Sequence, residues 1–313
     1  MDKFDLKILK ELEKNARVSS PRLGKAVGRS QQFVDYRLNA LKTHKPWPII
    51  TPQIITNQFK LGLRSFLLFV KLEDPEKVFD FFYKKAKKNS SVNWVIATGY
   101  DWDVIVMITK KDIESLYSTV TQLFKGEDVF DFDMREIVKH QMLAHTYLTK
   151  NKITIEHTTL TSPIKLDSVD FKILKELNKA YNVKIVNITS KLKLNYRTIA
   201  SRIKKMQELK IITGFRPFIN PKPFGYRSYF IKFTTNIKTD YDLDKFLRLL
   251  SDDEYVTDSF EFLGRFSNAV IYRYKSEGKT KEFLEKLRNA VPKLQDLSIC
   301  PMFDDTLYNS VIE

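Results

Sequence analysis

The sequence is poor in the residues that build disulfides, metal sites and phosphate loops. Its 313 residues include one cysteine, Cys300, which cannot form an intramolecular disulfide framework. The histidines His44, His140, His145 and His157 lack metal-ligand spacing with one another or with Cys300. The sequence also contains no phosphate-binding glycine loop and no nucleophile elbow. We therefore expect a protein that is not an enzyme and that uses no cofactor or metal.

The start of the sequence lacks a long apolar segment. Residues 1–12 carry charged side chains too frequently for a signal peptide or a membrane span. Hydrophobic residues make up 43% of the chain and aromatic residues 13%, which is ample material for about two folded cores. These features predict a cytoplasmic globular protein without a membrane partner.

Basic charge is concentrated in two segments of a chain whose net charge is +15. Residues 1–60 contain 12 Lys and Arg against 5 Asp and Glu, and residues 165–222 contain 14 against 4. This confinement indicates two surfaces that face a polyanion such as double-stranded DNA. Neither segment has the large exposed apolar face that a membrane-surface helix needs.

The two basic segments also share sequence. The string KILKEL occurs at residues 7–12 and again at 172–177, and at the same offset of 165 Arg37 coincides with Arg202 and Gly99 with Gly264. A repeat of this length is typical of a duplicated domain rather than of a solenoid. The sequence therefore predicts a tandem repeat of one unit.

Each copy begins with a pattern of three short helices. In the first copy, apolar residues recur at helical spacing after Asp2. Ser20 can cap a second helix with Pro21 in its first turn, and Ser30 can cap a third. Asn195 occupies the position of Ser30 in the second copy. Extended runs at 49–56 and 211–219 are expected to form a small wing in each copy.

The remainder of each copy predicts elements in the ferredoxin-like order βαββαβ. The predicted fold class is α+β, with two copies of a winged helix-turn-helix followed by a ferredoxin-like βαββαβ sandwich. The open face of each sheet is expected to be covered by the other copy. The predicted domains are a winged helix-turn-helix at 1–60, a ferredoxin-like sensor domain at 61–143, a linker at 144–164, a second winged helix-turn-helix at 165–222 and a second ferredoxin-like domain at 223–313.

Five short sequence motifs in the first copy together form one pattern. They are Asp2-x-x-Asp5-x-x-Ile8-Leu9-x-x-Leu12, Asn15-Ala16-Arg17, Val27-Gly28-x-Ser30, Val34-x-x-Arg37-Leu38-x-x-Leu41 and Thr98-Gly99-Tyr100-Asp101. The pattern resembles the Lrp/AsnC family, also called leucine-responsive or feast/famine regulators. The resemblance implies a transcription regulator that pairs sheets between subunits and binds a small effector, often an amino acid, near the Gly99 turn. Because such regulators usually have one copy, the fusion would form an intramolecular pseudo-dimer, and further homo-oligomers are expected.

The third helix of each head is the candidate DNA-binding element. Side chains near the start of this helix reach base edges in helix-turn-helix proteins, and nearby Lys and Arg hold phosphates. Gln31 and Gln32 suit adenine and Arg197 suits guanine, so the two heads should prefer different half-sites. The candidate DNA-binding residues are Ser30, Gln31, Gln32, Arg37, Lys42, Asn195, Tyr196, Arg197, Ser201, Arg202, Lys204 and Lys205.

Two alternatives apply to these helices. Arg37 and Arg202 can cover the edge of the core with their aliphatic stems while their guanidinium groups meet a phosphate or a carboxylate of the first helix, Asp5 or Asp170. A three-helix head can also serve packing or dimerisation without binding DNA.

The candidate effector-binding residues are Thr98, Gly99, Tyr100, Asp101 and Asp103. A glycine permits a tight turn whose N–H groups can face a carboxylate, and an aspartate can bind an ammonium group. A plain β-hairpin turn explains the same pattern. Because Phe266 takes the place of Asp101 in the second copy, any effector site is expected in the first.

The predicted function is sequence-specific DNA binding by a transcriptional regulator, and the resemblance implies modulation by a small effector such as an amino acid. A nucleoid-type architectural protein is an alternative, since it would coat DNA through phosphate contacts with little sequence preference. Sirohaem decarboxylases resemble the same architecture and are a further alternative, although they have no evident reason to carry two basic heads.

Overall fold

The computed structural model describes residues 2–45, 48–74, 82–86, 88–126, 128–152, 156–179, 184–235, 240–263, 267–291 and 294–305. Residues 75–88, which the βαββαβ order predicts to form the first helix of the sensor domain, lie partly outside the described residues. Gly264 and Phe266 lie outside them entirely.

The first half of the chain consists of a three-helix head, a single strand, and a group of strands and helices. The head consists of α1 (Lys3–Lys14), α2 (Ser20–Val27) and α3 (Gln31–Thr43). The elements that follow are β1 (Ile50–Thr56), β2 (Arg64–Leu72), α4 (82–86), β3 (Val92–Thr98), β4 (Val104–Lys110), α5 (Ile113–Phe124) and β5 (Val129–Met142).

The second half repeats this order of elements. The segment expected as a linker contains a short helix and a strand, α6 (Thr146–Thr149) and β6 (Glu156–Thr159). The second head consists of α7 (Ser168–Leu177), α8 (Ile185–Leu192) and α9 (Tyr196–Glu208). The remaining elements are β7 (Ile212–Ile219), β8 (Arg227–Thr234), α10 (Asp240–Asp252), β9 (Val256–Phe262), β10 (Asn268–Tyr274), α11 (Glu277–Ala290) and β11 (Gln295–Asp305).

Side-chain caps set where several head helices begin. Asp2 accepts hydrogen bonds from the N–H groups of Phe4 and Asp5, and the Asp5 side chain accepts one from the N–H of Asp2. This capping box satisfies N–H groups that have no partner within the helix. The cap expected at Ser20 is off by one residue, because Ser19 is the N-cap of α2, and Ser19 makes no side-chain hydrogen bond.

The expectation of a separate wing in each head is wrong. β1 pairs with β7 in an antiparallel two-stranded sheet, in which Gln53 lies opposite Arg216. We call this pair of strands the ribbon. Ile54 of β1 packs in the core of the second head, and Ile219 of β7 packs in the core of the first. Each strand therefore completes the core of the opposite head, which a local hairpin could not do.

The remaining strands close into a barrel. The order is β2-β4-β3-β11-β8-β10-β9-β5, β5 pairs back with β2, and β6 adds to β5 outside the closure. Within each half the order has the expected ferredoxin-like arrangement, but the two sheets also join at their edges, along β3–β11 and β5–β9. Edge pairing removes strand edges that would otherwise expose unpaired backbone groups.

The nearly continuous apolar sequence of β2 is explained by burial on both faces. Leu68 and Val70 pack against the helices of the first half, whereas Leu67 and Phe69 point into the barrel. Alternation of side chains along a strand produces this division. The barrel interior contains residues of both halves, including Phe230, so the expectation that the second half covers the open face of the first sheet is confirmed.

Candidate nucleic-acid interface

Ion pairs to the first helix fix the third helix in each head. Arg37 donates from Nε to Asp5 at 2.8 Å and from Nη2 at 2.5 Å, and its Nη2 lies 3.0 Å from Asp2. Arg202 donates to Asp167 at 2.7 Å and to Asp170 at 2.8 Å. The expected contacts with Asp5 and Asp170 are confirmed. Both guanidinium groups therefore position their helices, and a phosphate contact by either stays a prediction.

The exposed face of α3 is polar and nearly uncharged. Ser30 accepts a hydrogen bond from the N–H of Phe33 at 3.2 Å and begins the helix. Gln31 and Gln32 are exposed directly after it, and the Gln31 amide donates to Asp35 at 3.3 Å. Lys42 is half-buried near the end of the helix, and burial lowers its pKa.

The exposed face of α9 is basic. Asn195 begins the helix by accepting a hydrogen bond from the N–H of Thr198 at 2.8 Å. Lys204 lies 3.6 Å from Glu208, one turn along the same face. The predicted residues Tyr196, Arg197, Ser201, Lys204 and Lys205 are all exposed. The structure thus presents the exposed face of α9 as a cationic surface with an aromatic side chain at its start.

Sequence reasoning missed three exposed residues of the first head. Arg22 and Lys25 lie on the outer face of α2, and Tyr36 is 70% exposed on α3. The three-residue spacing of Arg22 and Lys25 places both on one face of a helix, and this was the available signal. In helix-turn-helix proteins the first helix of the motif crosses the DNA backbone, and a phosphate contact by either cation is a prediction.

The effector candidates form a turn between β3 and β4. The Thr98 hydroxyl donates to the carbonyl of Trp102 at 2.7 Å. Tyr100, with φ 72°, is the left-handed residue of the turn, whereas Gly99 does not have positive φ. Glycine matters at position 99 for another reason, because a Cβ there would lie 3.0 Å from the ring of Phe303.

Both aspartates of this turn already have partners within the protein. Asp101 accepts a hydrogen bond from Ser298 at 2.5 Å and lies 3.1 Å from the Lys232 ammonium. These contacts, first the Ser298 hydrogen bond and then Lys232, hold the pKa of Asp101 below its usual value. Asp103 accepts from the N–H of Leu72 at 2.9 Å and from Lys71 at 3.2 Å. An effector ammonium group at Asp101 would therefore compete with Lys232.

A groove of about 760 Å³ lies beside this turn. Gly99 and Tyr100 line one side of it, and exposed Arg227 lines another. The groove thus combines an aromatic ring with a cation next to the predicted effector residues. Sequence reasoning missed Arg227, because the groove joins segments from both halves of the chain.

Among the residues that the structure describes, no cluster of His, Cys, Asp or Glu is arranged to hold a metal ion. No described helix is both long enough and apolar enough to cross a membrane.

Comparisons with known proteins identify a family model and relatives that match part of the chain. Residues 1–42 match the family model of the AsnC-type helix-turn-helix domain. An uncharacterized HTH-type transcriptional regulator of Pyrococcus furiosus is 26% identical over 125 residues, which is 40% of this chain and 82% of that protein. The HTH-type transcriptional regulator LrpB of Bacillus subtilis is 25% identical over 130 residues, 42% of this chain and 83% of LrpB.

One solved structure is similar over nearly the whole chain. The siroheme decarboxylase NirDL, in complex with an iron-uroporphyrin III analogue, superposes with a TM-score of 0.61 at 14% identity. The superposition covers 99% of this chain and 95% of that chain, and at this identity it describes the fold alone. The sequence relatives, which are helix-turn-helix transcriptional regulators, support a DNA-binding transcriptional regulator as the function of this chain.

Proposed function

We propose that this chain is a sequence-specific transcriptional regulator formed by tandem duplication of a complete Lrp/AsnC unit. The observation that carries the proposal is the ribbon, in which one strand from each half pairs antiparallel and completes the core of the opposite head. The ribbon holds two heads with exposed third helices in one molecule. The chain thus forms by itself a pseudo-dimer of two DNA-reading heads.

The proposed domains follow the repeated order of elements. They are heads at 1–60 and 165–222 and sensor domains at 61–143 and 223–313, with residues 144–164 between them. The two head segments hold all of the excess positive charge, and the rest of the chain is slightly acidic. The ribbon joins the two basic heads, so both can contact the same duplex. This arrangement favours DNA as the partner.

DNA binding is tested by titrating the full chain with fluorescent duplex DNA at salt concentrations between about 50 and 200 mM. Affinity is expected to fall steeply with salt, and the double variant Lys204→Ala/Lys205→Ala should reduce the slope of log affinity against log salt by about 2. Lys281→Ala, on exposed α11, is the matched control and should leave the slope unchanged. Failure to bind duplex DNA even at low salt would overturn the proposal.

An architectural protein is distinguished from a specific regulator by competition. For a regulator, genomic fragments selected by the full chain should compete at physiological salt at least about 1000-fold better than random duplex. Equal competition by random duplex would favour architectural binding through phosphates.

We further propose that a small carboxylate-bearing effector, such as an amino acid, binds in the groove beside Tyr100. Arg227 supplies a cation for the carboxylate. Calorimetry of the full chain with each standard amino acid should show heat for one or a few, and Arg227→Ala should abolish that heat. Absence of heat for all of them would remove this part of the proposal without affecting DNA binding.

A sirohaem-decarboxylase-like enzyme is the second candidate, because the likeness to NirDL extends over 99% of the chain. An absorbance titration with sirohaem, followed by product analysis, tests it directly. Spectral shifts with loss of carboxyl groups would favour the enzyme, whereas tight DNA binding without a shift favours the regulator.

A further inference from the structure

The third helices of the two heads present different chemistry at matching positions. Ser30 and Asn195 cap the two helices in the same way. After these caps, the exposed pair is Gln31 and Gln32 in α3 but Tyr196 and Arg197 in α9. Because the helices begin alike, the same groove positions would meet different side chains.

Positive charge also lies on different helices of the two heads. Exposed Arg22 and Lys25 of α2 coincide, at the repeat offset, with Asn187 and Ser190 of α8. Conversely, exposed Lys204 and Lys205 of α9 coincide with Asn39 and Ala40 of α3. The first head therefore has two exposed cations on α2 that α8 lacks, and the second head has two on its recognition helix that α3 lacks. The exposed cation of α8, Lys191, pairs with Glu176 at 2.8 Å.

We infer that one chain reads a non-palindromic operator, with an adenine-containing half-site under the first head and a guanine-containing half-site under the second. This inference rests on the proposed DNA-binding function. The Gln32 amide can donate to adenine N7 and accept from N6, whereas Arg197 can donate to guanine O6 and N7. Asp35, exposed on α3 one turn after Gln31, disfavours close phosphates at the first head and leaves its phosphate contacts to α2.

The ribbon holds the two heads of one chain in a fixed arrangement. β1 and β7 pair over most of their length, from Ile50 opposite Ile219 to Ile55 opposite Gly214. Since each strand is packed in the opposite head, neither head can turn independently of the other. Both half-sites must therefore lie at one spacing and in one orientation on the duplex.

The test is selection of sites from a random duplex library by the full chain, restricted to complexes with one chain per duplex by a sizing step. The wild-type protein should yield two unlike half-sites at a fixed spacing. Tyr196→Gln/Arg197→Gln copies the start of α3 into α9. It should reduce the guanine preference by about 10- to 100-fold and make the two halves alike. Gln31→Ala/Gln32→Ala should weaken the base preference only in the adenine-containing half-site.

Charge variants give an independent readout. Arg22→Ala/Lys25→Ala should weaken footprint protection over the adenine half, and Lys204→Ala/Lys205→Ala over the guanine half. Each double variant should reduce the salt slope by about 2, and Lys281→Ala should change neither.

Recovery of identical half-sites by the wild-type protein, or loss at both halves from a substitution in one head, would overturn this inference and leave the proposed DNA-binding function intact. Absence of all duplex binding at low salt would overturn both.

Discussion

The two halves of the chain have the same order of elements but place their buried charges differently. At the position of Phe69 in β2, the matching strand β8 has Lys232, which is 3% exposed. Asp258 in β9 takes the place of Trp94 in β3. Trp94 lies opposite Met107 in the first half, and Asp258 lies opposite Ile271 in the second. Glu13, buried at the end of α1, coincides with Asn178, the residue that ends α7.

Each of these charges meets a partner from the other half or from the segment between the halves. Lys232 pairs with Asp101, and Asp258 pairs with His140 at 3.1 Å. A barrel built from two first halves would lack Lys232 and Asp258, and one built from two second halves would lack Asp101. A few charge differences between two similar halves therefore make the halves complementary to each other. This complementarity favours their pairing within the chain.

The largest effect is expected at Glu13, which anchors the first head. Its carboxylate accepts hydrogen bonds from the N–H and Nδ1 of His145 and from Thr149, and Arg216 lies 3.4 Å away. Glu13→Gln leaves Arg216, which is 4% exposed, without its counter-charge. We expect a loss of about 3–5 kcal/mol in the free energy of unfolding, measured by urea denaturation. Glu11→Gln on the same helix removes only a partly exposed pair and should cost less than about 1 kcal/mol.

The same site should make stability depend on pH. Burial would raise the pKa of Glu13, but the hydrogen bond and charge of His145 and the charge of Arg216 lower it to about 2. A lowered pKa contributes stability above the ordinary value of 4.5, and this stability is lost as pH falls toward about 2. Between these values the melting temperature of Glu13→Gln should fall less than that of the wild type. Parallel curves would show that Glu13 does not carry the acid sensitivity.

A smaller loss is expected at Asp258, where the two halves meet along β5–β9. Burial would raise the pKa of Asp258, but the hydrogen bond with His140 and the charges of His140 and Arg273 lower it. Asp258→Asn removes the negative charge beside Arg273, which is 1% exposed. We expect a loss of about 3 kcal/mol in urea denaturation, against no resolvable loss for exposed Asp252→Asn. Equal losses for both variants would contradict the assigned role.

Substitutions of the two members of the Lys232–Asp101 ion pair should have unequal effects on stability. Asp101→Asn leaves a buried ammonium without its carboxylate and should reduce stability by about 1–2 kcal/mol. Lys232→Met removes the buried charge and leaves a half-exposed carboxylate, so its effect should be near zero. Thermal unfolding of both single variants and of the double variant measures the difference. A larger loss for Lys232→Met than for Asp101→Asn would reverse this assignment.

Loss of a helix cap should have equal effects in the two halves, because both third helices are capped in the same way. Ser30→Ala and Asn195→Ala each remove one hydrogen bond to the start of a third helix. Each should reduce stability by about 1 kcal/mol in urea denaturation. A difference well above that value between the two would show that the heads differ in more than their exposed residues.

The sequence alone was sufficient for the local features. Asp2, Ser30 and Asn195 cap helices where their positions predicted, because a cap acts on N–H groups two or three residues away. The pairing of Arg37 with Asp5 was also predictable, since both lie on the inner faces of neighbouring helices. The nearly continuous apolar run of β2 is in accord with its burial on both faces.

The tertiary structure decided which strands and charges meet. Nothing local in β1 indicates that β7 is its partner. Likewise, nothing in the Gly99 turn indicates that Lys232 and Ser298 contact the Asp101 carboxylate. These contacts join residues more than a hundred positions apart, and they form only when the ribbon pairs and the sheets close. Sequence therefore determined the elements and the charge of each surface. Packing of the two halves determined which surfaces stay exposed for a ligand, because burial removes a side chain from solvent whatever its local pattern.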